Sequence, residues 1–119
     1  MEWFWWLMLF FSLLIPSMMV IFGVVFMYKP PKKINMLYGY RTKRSMKDDK
    51  SWIYAHHFLG RLWAMWGSII FFWSIIILIS IFRKPVETIS WIDFALIMGQ
   101  IIIMLIPVFI TENELKSKE

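Results

Sequence analysis

The polar residues best suited to recognise a ligand lie between two long apolar runs of the chain. Arg41 stands between Tyr40 and Thr42, and its planar guanidinium can donate parallel hydrogen bonds to one phosphate or carboxylate. Tyr40 and Trp52 are placed to wall such a site at the membrane interface, where amphipathic rings are favoured. These residue types predict recognition of an anion.

A second group of polar side chains follows in His56, His57 and Arg61. His57 and Arg61 are four residues apart, so they share one face of a helix. Two interpretations stay open. The pair binds an anionic head group or a partner's carboxylate at the inner membrane boundary, or Arg61 snorkels to the interface while the histidines pack or face water.

The sequence contains no catalytic set, so we expect no enzyme and no cofactor. Two adjacent histidines cannot bind one metal ion from the same helical face, and we expect no metal site at His56 and His57. The chain has no cysteine, which excludes disulfides, thiolate metal sites and cysteine nucleophiles. Direct nucleic-acid binding is not expected, because the basic segment is short and tied to the bilayer at both ends.

Composition defines the elements that must position these residues. The chain is 60% hydrophobic and 19% aromatic, and its apolar residues occur in long blocks. Such blocks predict an all-α integral membrane protein, here a single membrane domain over residues 1–119. We expect spans at about 3–28, 57–82 and 89–110, with an ordered basic cytoplasmic loop and helix start at about 29–56.

Orientation follows from the lysines and arginines. With three spans, the first loop and the C-terminal tail lie on one side and carry ten basic residues, against two in the second loop. The positive-inside rule therefore predicts a multi-pass membrane protein with its N-terminus outside and its C-terminus in the cytoplasm.

Two short patterns have the form of a capping box. Ser45 and Asp48 predict that the second helix begins near Met46. Ser90 and Asp93 predict a cap at the outer end of the third helix, with the alternative that Asp93 is an intramembrane acid at a functional site.

Several small or polar positions predict helix packing. Gly60, Ala64 and Gly67 form a small-residue stripe that lets a second helix approach, and we expect it to pack within the chain rather than pair two chains. Gln100 is expected to hydrogen-bond another span or itself across a dimer, with Gly99 beside it allowing close packing.

Before the second helix, Gly39 marks a point where the backbone needs a positive φ.

The loop also carries a defined pattern. Gly39, Tyr40, Arg41 and Thr42 are consecutive, and the spaced residues around them are Asn35, Ser45, Met46, Trp52, Ala55, a polar residue at 56 and Gly60. This pattern resembles the signature of the SdpI family of bacterial membrane proteins. The founding member of that family is an immunity protein, which protects a producing cell from a secreted membrane-active peptide toxin. It also signals by holding a transcriptional repressor at the membrane.

The resemblance implies immunity to a peptide toxin, with receptor-like signalling through a cytoplasmic regulatory protein as a further role. It also implies that the residues carrying this activity are Asn35, Tyr40, Arg41, Thr42, Ser45, Trp52 and Gly60. Two other functions stay open: a lipid-, ion- or small-solute-binding protein or transporter acting as a homo-oligomer, and a structural subunit of a larger complex.

Overall fold

The protein is described here by a computed structural model of residues 2–32, 34 and 39–118. This part of the chain forms three helices, α1 (Glu2–Tyr28), α2 (Asp49–Ser80) and α3 (Val86–Ser117). Each helix is long and apolar enough to cross a membrane. The predicted all-α protein with three transmembrane helices is therefore confirmed. Part of the basic loop lies outside the described residues, and its order over the whole predicted range stays a prediction.

The lengths of the helices determine where polar structure can form. α2 and α3 have 32 residues each, which corresponds to about 48 Å at 1.5 Å per residue and exceeds a hydrocarbon core of about 30 Å. The C-terminal end of α1, the start of α2 and the end of α3 meet at one end of the bundle, which we call the loop end. Pro31 and Tyr40, from the described part of the loop, contact the helix turns that extend beyond the hydrocarbon core at this end.

Close packing of α1 against α2 brings the start of the loop to α2. A Cβ atom built on Gly60 would lie 2.6 Å from the carbonyl oxygen of Gly23, and one built on Gly23 would lie 2.5 Å from the amide nitrogen of Ala64. A Cβ atom on Gly67 would lie 2.8 Å from that of Met19. The two backbones are therefore in direct contact, and the predicted packing of the stripe within the chain is confirmed.

A polar cluster occupies the interior of the bundle. Gln100 Nε2 donates 2.8 Å hydrogen bonds to the carbonyl of Ser12 and to Ser74 Oγ. Asp93 Oδ1 accepts a hydrogen bond from Ser12 Oγ. All four side chains are buried, so one residue from α1, one from α2 and two from α3 form hydrogen bonds away from lipid. Gln100 Oε1 accepts no hydrogen bond within the described part of the chain.

One expectation about α3 was wrong, and a second is not met within the chain. Asp93 does not cap the helix, because α3 begins at Val86 after Pro85 and Asp93 lies inside the bundle, 2% exposed. Ser90 instead donates to the carbonyl of Val86. Gly99 does not mediate close packing within the described chain, because a Cβ atom there would meet no other atom within 4 Å.

These two glycine environments give a matched test. We predict that Gly60→Leu destabilises the monomer by about 1–3 kcal/mol or more, because the larger side chain must displace the backbone of α1. Gly99→Leu should change little, because its side chain enters open space. Thermal unfolding and size-exclusion chromatography in detergent measure both effects. Conversion of a dimer into an equally stable monomer by Gly60→Leu would show that the stripe pairs two chains.

Candidate functional site

The beginning of the loop is attached to α2 through a buried tryptophan. Trp52 Nε1 donates a 2.6 Å hydrogen bond to the carbonyl of Pro31, and the Trp52 side chain is completely buried. The structure corrects the expectation that Trp52 walls a site at the interface. Its indole packs inside the protein because its only polar atom finds a backbone carbonyl there.

His56 is the central polar residue of the loop end. Its Nε2 accepts a 2.8 Å hydrogen bond from the amide of Tyr40, and its Nδ1 lies 2.7 Å from the carbonyl of Trp52. An amide can only donate and a carbonyl can only accept, so the ring must carry its proton on Nδ1 and none on Nε2. The buried His56 is therefore a neutral imidazole that joins the loop to α2.

Gly39 is needed beside this ring for two reasons. Its φ is 110°, in the region that favours glycine, which confirms the predicted positive φ. A Cβ atom at this position would also lie 2.6 Å from His56 Nε2 and 3.2 Å from the ring of Trp52. Any larger residue would displace the histidine from the Tyr40 amide.

Tyr40 connects the loop to α3. Its hydroxyl donates to Glu112, and Arg44 Nη1 lies 3.5 Å from the other carboxylate oxygen of Glu112. Burial and the neighbouring Glu112 carboxylate together raise the pKa of Tyr40 well above its usual value. The phenol therefore stays a neutral donor, and the loop, α2 and α3 are joined through one side chain.

A compact turn follows, built by Thr42 and Ser45. Ser45 Oγ accepts from the amide of Thr42 at 2.9 Å and contacts the carbonyl of Tyr40 at 2.8 Å. The amide of Ser45 donates in return to Thr42 Oγ1 at 3.1 Å. Ser45 is fully buried in this turn.

The predicted cap of α2 at Ser45 is therefore wrong, because its hydroxyl is already occupied within the turn. The N-cap is Asp48, whose side chain accepts a 2.7 Å hydrogen bond from the amide of Ser51, and α2 begins at Asp49 rather than near Met46. This amide hydrogen bond lowers the pKa of the Asp48 carboxyl.

The residues predicted for the site separate into three places. The loop end brings together Tyr40, Thr42, Ser45, Trp52 and His56. Arg41 is exposed beside them. The other predicted residues lie elsewhere: Gly60 at the contact with α1, His57 and Arg61 in a groove on the outer side of α2, and Asn35 outside the described residues.

Sequence reasoning missed the contribution of the C-terminal tail. Glu112 receives the Tyr40 hydroxyl, and Glu114 Oε1 accepts a 3.0 Å hydrogen bond from the Tyr54 hydroxyl. Thr111 and Leu115, which flank these acids in the sequence, are buried. The four-residue spacing of Thr111 and Leu115, continuing the α3 pattern, was the signal that the helix extends beyond its membrane span.

The loop end separates buried polar groups from exposed basic side chains. The polar groups buried at the loop end form hydrogen bonds that hold the loop, and Arg41, Lys43, Lys47 and Lys50 are exposed. Arg44 is half-buried beside Glu112. Among residues 2–32, 34 and 39–118, no three histidine or acidic side chains come together in a way that could hold a metal ion. The loop end thus holds the loop through buried hydrogen bonds and displays positive charge on its surface.

Comparisons with known proteins found a matching family and one curated relative. A family model described as the SdpI/YfhL protein family matches residues 32–111, more than half of the chain. A relative from Bacillus subtilis (strain 168), named "Uncharacterized protein YfhL", is 41% identical over 54 residues, which are 45% of this chain and 49% of the relative. The match thus spans about half the length of that curated relative. No solved structure matches the chain at a significant level.

Neighbouring histidines allow the loop attachment to be tested. We predict that His56→Ala destabilises the loop end by about 1–3 kcal/mol or more, because it leaves the buried amide of Tyr40 without an acceptor. Trypsin should then cleave after Arg41 and Arg44 sooner than in the wild type. His57→Ala, on the outer side of α2, is the control and should keep wild-type resistance. Equal resistance of both variants in limited proteolysis would contradict the attachment.

Proposed function

The chain belongs to the SdpI/YfhL protein family, and we propose that it protects a bacterial cell membrane against a membrane-active peptide toxin. Family membership and three membrane-spanning helices support this function at the level of class. The observation that carries the proposal further is the way the structure holds the residues on both sides of Arg41 while leaving the Arg41 side chain exposed.

The backbone on either side of Arg41 is fixed by hydrogen bonds. On one side, the amide of Tyr40 donates to His56 and its carbonyl lies 2.8 Å from Ser45 Oγ. On the other side, the amide of Thr42 donates to Ser45 Oγ, and its carbonyl accepts from the amide of Met46 at 3.0 Å. Arg41 therefore projects from a preorganised backbone, which reduces the entropy lost when its guanidinium binds.

The guanidinium is suited to an anionic partner, either a carboxylate or a phosphate. Its planar fork forms two parallel hydrogen bonds with a carboxylate, a geometry that a lysine ammonium cannot reproduce. In the proposed function, Arg41 binds a carboxylate of the toxin or of a cytoplasmic regulatory protein through which the toxin's presence is signalled. The loop lies in the cytoplasm in this proposal, as the excess of ten basic residues against two favours.

The alternative of an oligomeric transporter has one observation in its favour, the buried cluster of Asp93 and Gln100. Acids within membrane spans commonly mark ion or proton pathways. Here, however, Asp93 accepts a hydrogen bond from Ser12, and Gln100 donates hydrogen bonds to Ser12 and Ser74. These hydrogen bonds connect the three helices, which is a structural role. Substrate-dependent flux in vesicles containing the purified protein would favour transport over protection.

The role of Arg41 can be separated from that of charge alone. We predict that Arg41→Lys, expressed in a toxin-sensitive bacterial host, loses protection against secreted membrane-permeabilising peptides. The loss of a charge-assisted hydrogen bond costs roughly 1.5–3 kcal/mol, which weakens binding about tenfold or more. Survival and membrane potential are measured at matched expression. Lys43→Ala, an exposed change on the same loop, should be much milder.

Two results would contradict the proposal. Equal effects of Arg41→Lys and Lys43→Ala would mean that the loop acts through diffuse positive charge. Labelling of Lys43→Cys by a membrane-impermeant thiol reagent from outside intact cells would place the loop on the wrong side of the membrane. The second measurement has no background, because the chain contains no cysteine.

A further inference from the structure

A basic cleft opens at the loop end, on a side that the signature residues do not use. Its volume is about 420 Å³. It lies between the turn that precedes α2, the first turns of α2 and the last turn of α3. The charged and aromatic side chains that line it are Arg44, Lys47, Asp48, Lys50, Tyr54 and Lys118.

The cleft concentrates positive charge from separate parts of the chain. Four of its lining side chains are cations and one is a carboxylate. Asp48 is already engaged by the amide of Ser51, and the carboxylate of Glu112 beside the cleft is shared by Arg44 and Tyr40. The other three cations of the lining are exposed to solvent: Lys47, Lys50 and Lys118. Cations converging in this way repel each other, and an anion bound between them relieves that repulsion.

The wall formed by α3 is held in place by an aromatic contact. The ammonium of Lys118 lies 4.7 Å from the centroid of the Tyr54 ring, within the range of a cation–π interaction. The Tyr54 hydroxyl is in turn fixed by Glu114. The extension of α3 to Ser117 therefore brings Lys118 to the start of α2. The N-terminus of α2 adds the positive end of its helix dipole on the same side.

We propose that this cleft binds a phosphate group. Lysine ammonium groups are compact donors that suit the tetrahedral oxygens of phosphate. The cleft is also larger than the phosphate alone, which leaves room for the group esterified to it. The site is distinct from Arg41 and would operate whether or not the chain protects against a toxin.

The phosphate has two sources, a lipid head group and a soluble phosphate ester. A second groove, of about 460 Å³, shares Lys50 and Tyr54 with the cleft and runs along α2 past Phe58 to Arg61. Ile53, Phe58 and the hydrocarbon stems of Lys50 and Arg61 give it a largely apolar surface, which would suit the glycerol and upper acyl region of a lipid. A soluble ester would use the cleft alone. The same phosphate chemistry serves both, and the experiment distinguishes them.

The test uses the full chain and two matched double variants. Lys47→Ala/Lys50→Ala removes two cations from the cleft, and Lys32→Ala/Lys43→Ala removes two exposed cations from elsewhere in the same loop. In neutral detergent, glycerol 3-phosphate and inorganic phosphate are titrated, and binding is measured by calorimetry and thermal unfolding. In nanodiscs, retention of phosphatidylglycerol against phosphatidylcholine is measured by native mass spectrometry. Thermal unfolding without ligand verifies that both variants fold.

Each outcome decides the proposal. Glycerol 3-phosphate binding that falls at least tenfold in the cleft variant and persists in the control supports a soluble phosphate ligand. Selective retention of phosphatidylglycerol with the same pattern, and no binding of soluble phosphate, supports a lipid head group. Equal loss in both double variants, or binding of neither probe by the wild type, would overturn the proposal.

Discussion

The hydrogen bond from the amide of Tyr40 to the neutral ring of His56 is the interaction on which the rest of the loop end depends. It fixes the loop at the point where it crosses α2, and it explains why the preceding residue must be a glycine with positive φ. It also directs the Tyr40 side chain toward Glu112 on α3. The buried ring of His56 thus attaches the polar loop to α2, and Tyr40 attaches it to α3. Because the ring is neutral, the attachment avoids the large free-energy cost of burying a charged side chain.

The close packing of α1 against α2 places the loop near enough to α2 for this hydrogen bond to form. The contact between Gly23 and Gly60 brings the backbones of α1 and α2 together, so the loop that leaves α1 starts close to the ring of Trp52. The neutral aromatic residues then fill the interior of the loop end, while Arg41 and the described lysines of the loop are exposed and Arg44 lies half-buried beside Glu112. This division produces two positive features, the preorganised Arg41 and the separate basic cleft between α2 and α3.

The sequence was sufficient to predict features that depend on local pattern. Long apolar blocks predicted three helices, the stripe around Gly60 predicted a close helix contact, and Gly39 predicted a positive φ. Two capping boxes were misleading because the same residues had stronger partners elsewhere. Ser45 is used by its own turn, and Asp93 is used by Ser12, 81 residues earlier in the chain.

The contacts of the C-terminal tail could not be predicted in the same way. Glu112 and Glu114 look like residues of a solvated tail, and only the position of α3 beside the loop makes them partners of Tyr40 and Tyr54. Likewise, no local pattern shows that His56 faces an amide while His57 faces outward. Choices of partner across long separations depend on how the helices pack, and that information is distributed over the whole chain.

Nitrogen-15 NMR of the histidine side chains tests the central claim most directly. The account predicts that at neutral pH His56 is a neutral imidazole with its proton on Nδ1, and that the amide of Tyr40 shows a coupling to Nε2 through the hydrogen bond. Comparison with His57→Ala assigns the two rings. A charged His56, or a ring with its proton on Nε2 and no coupling to Tyr40, would contradict the account.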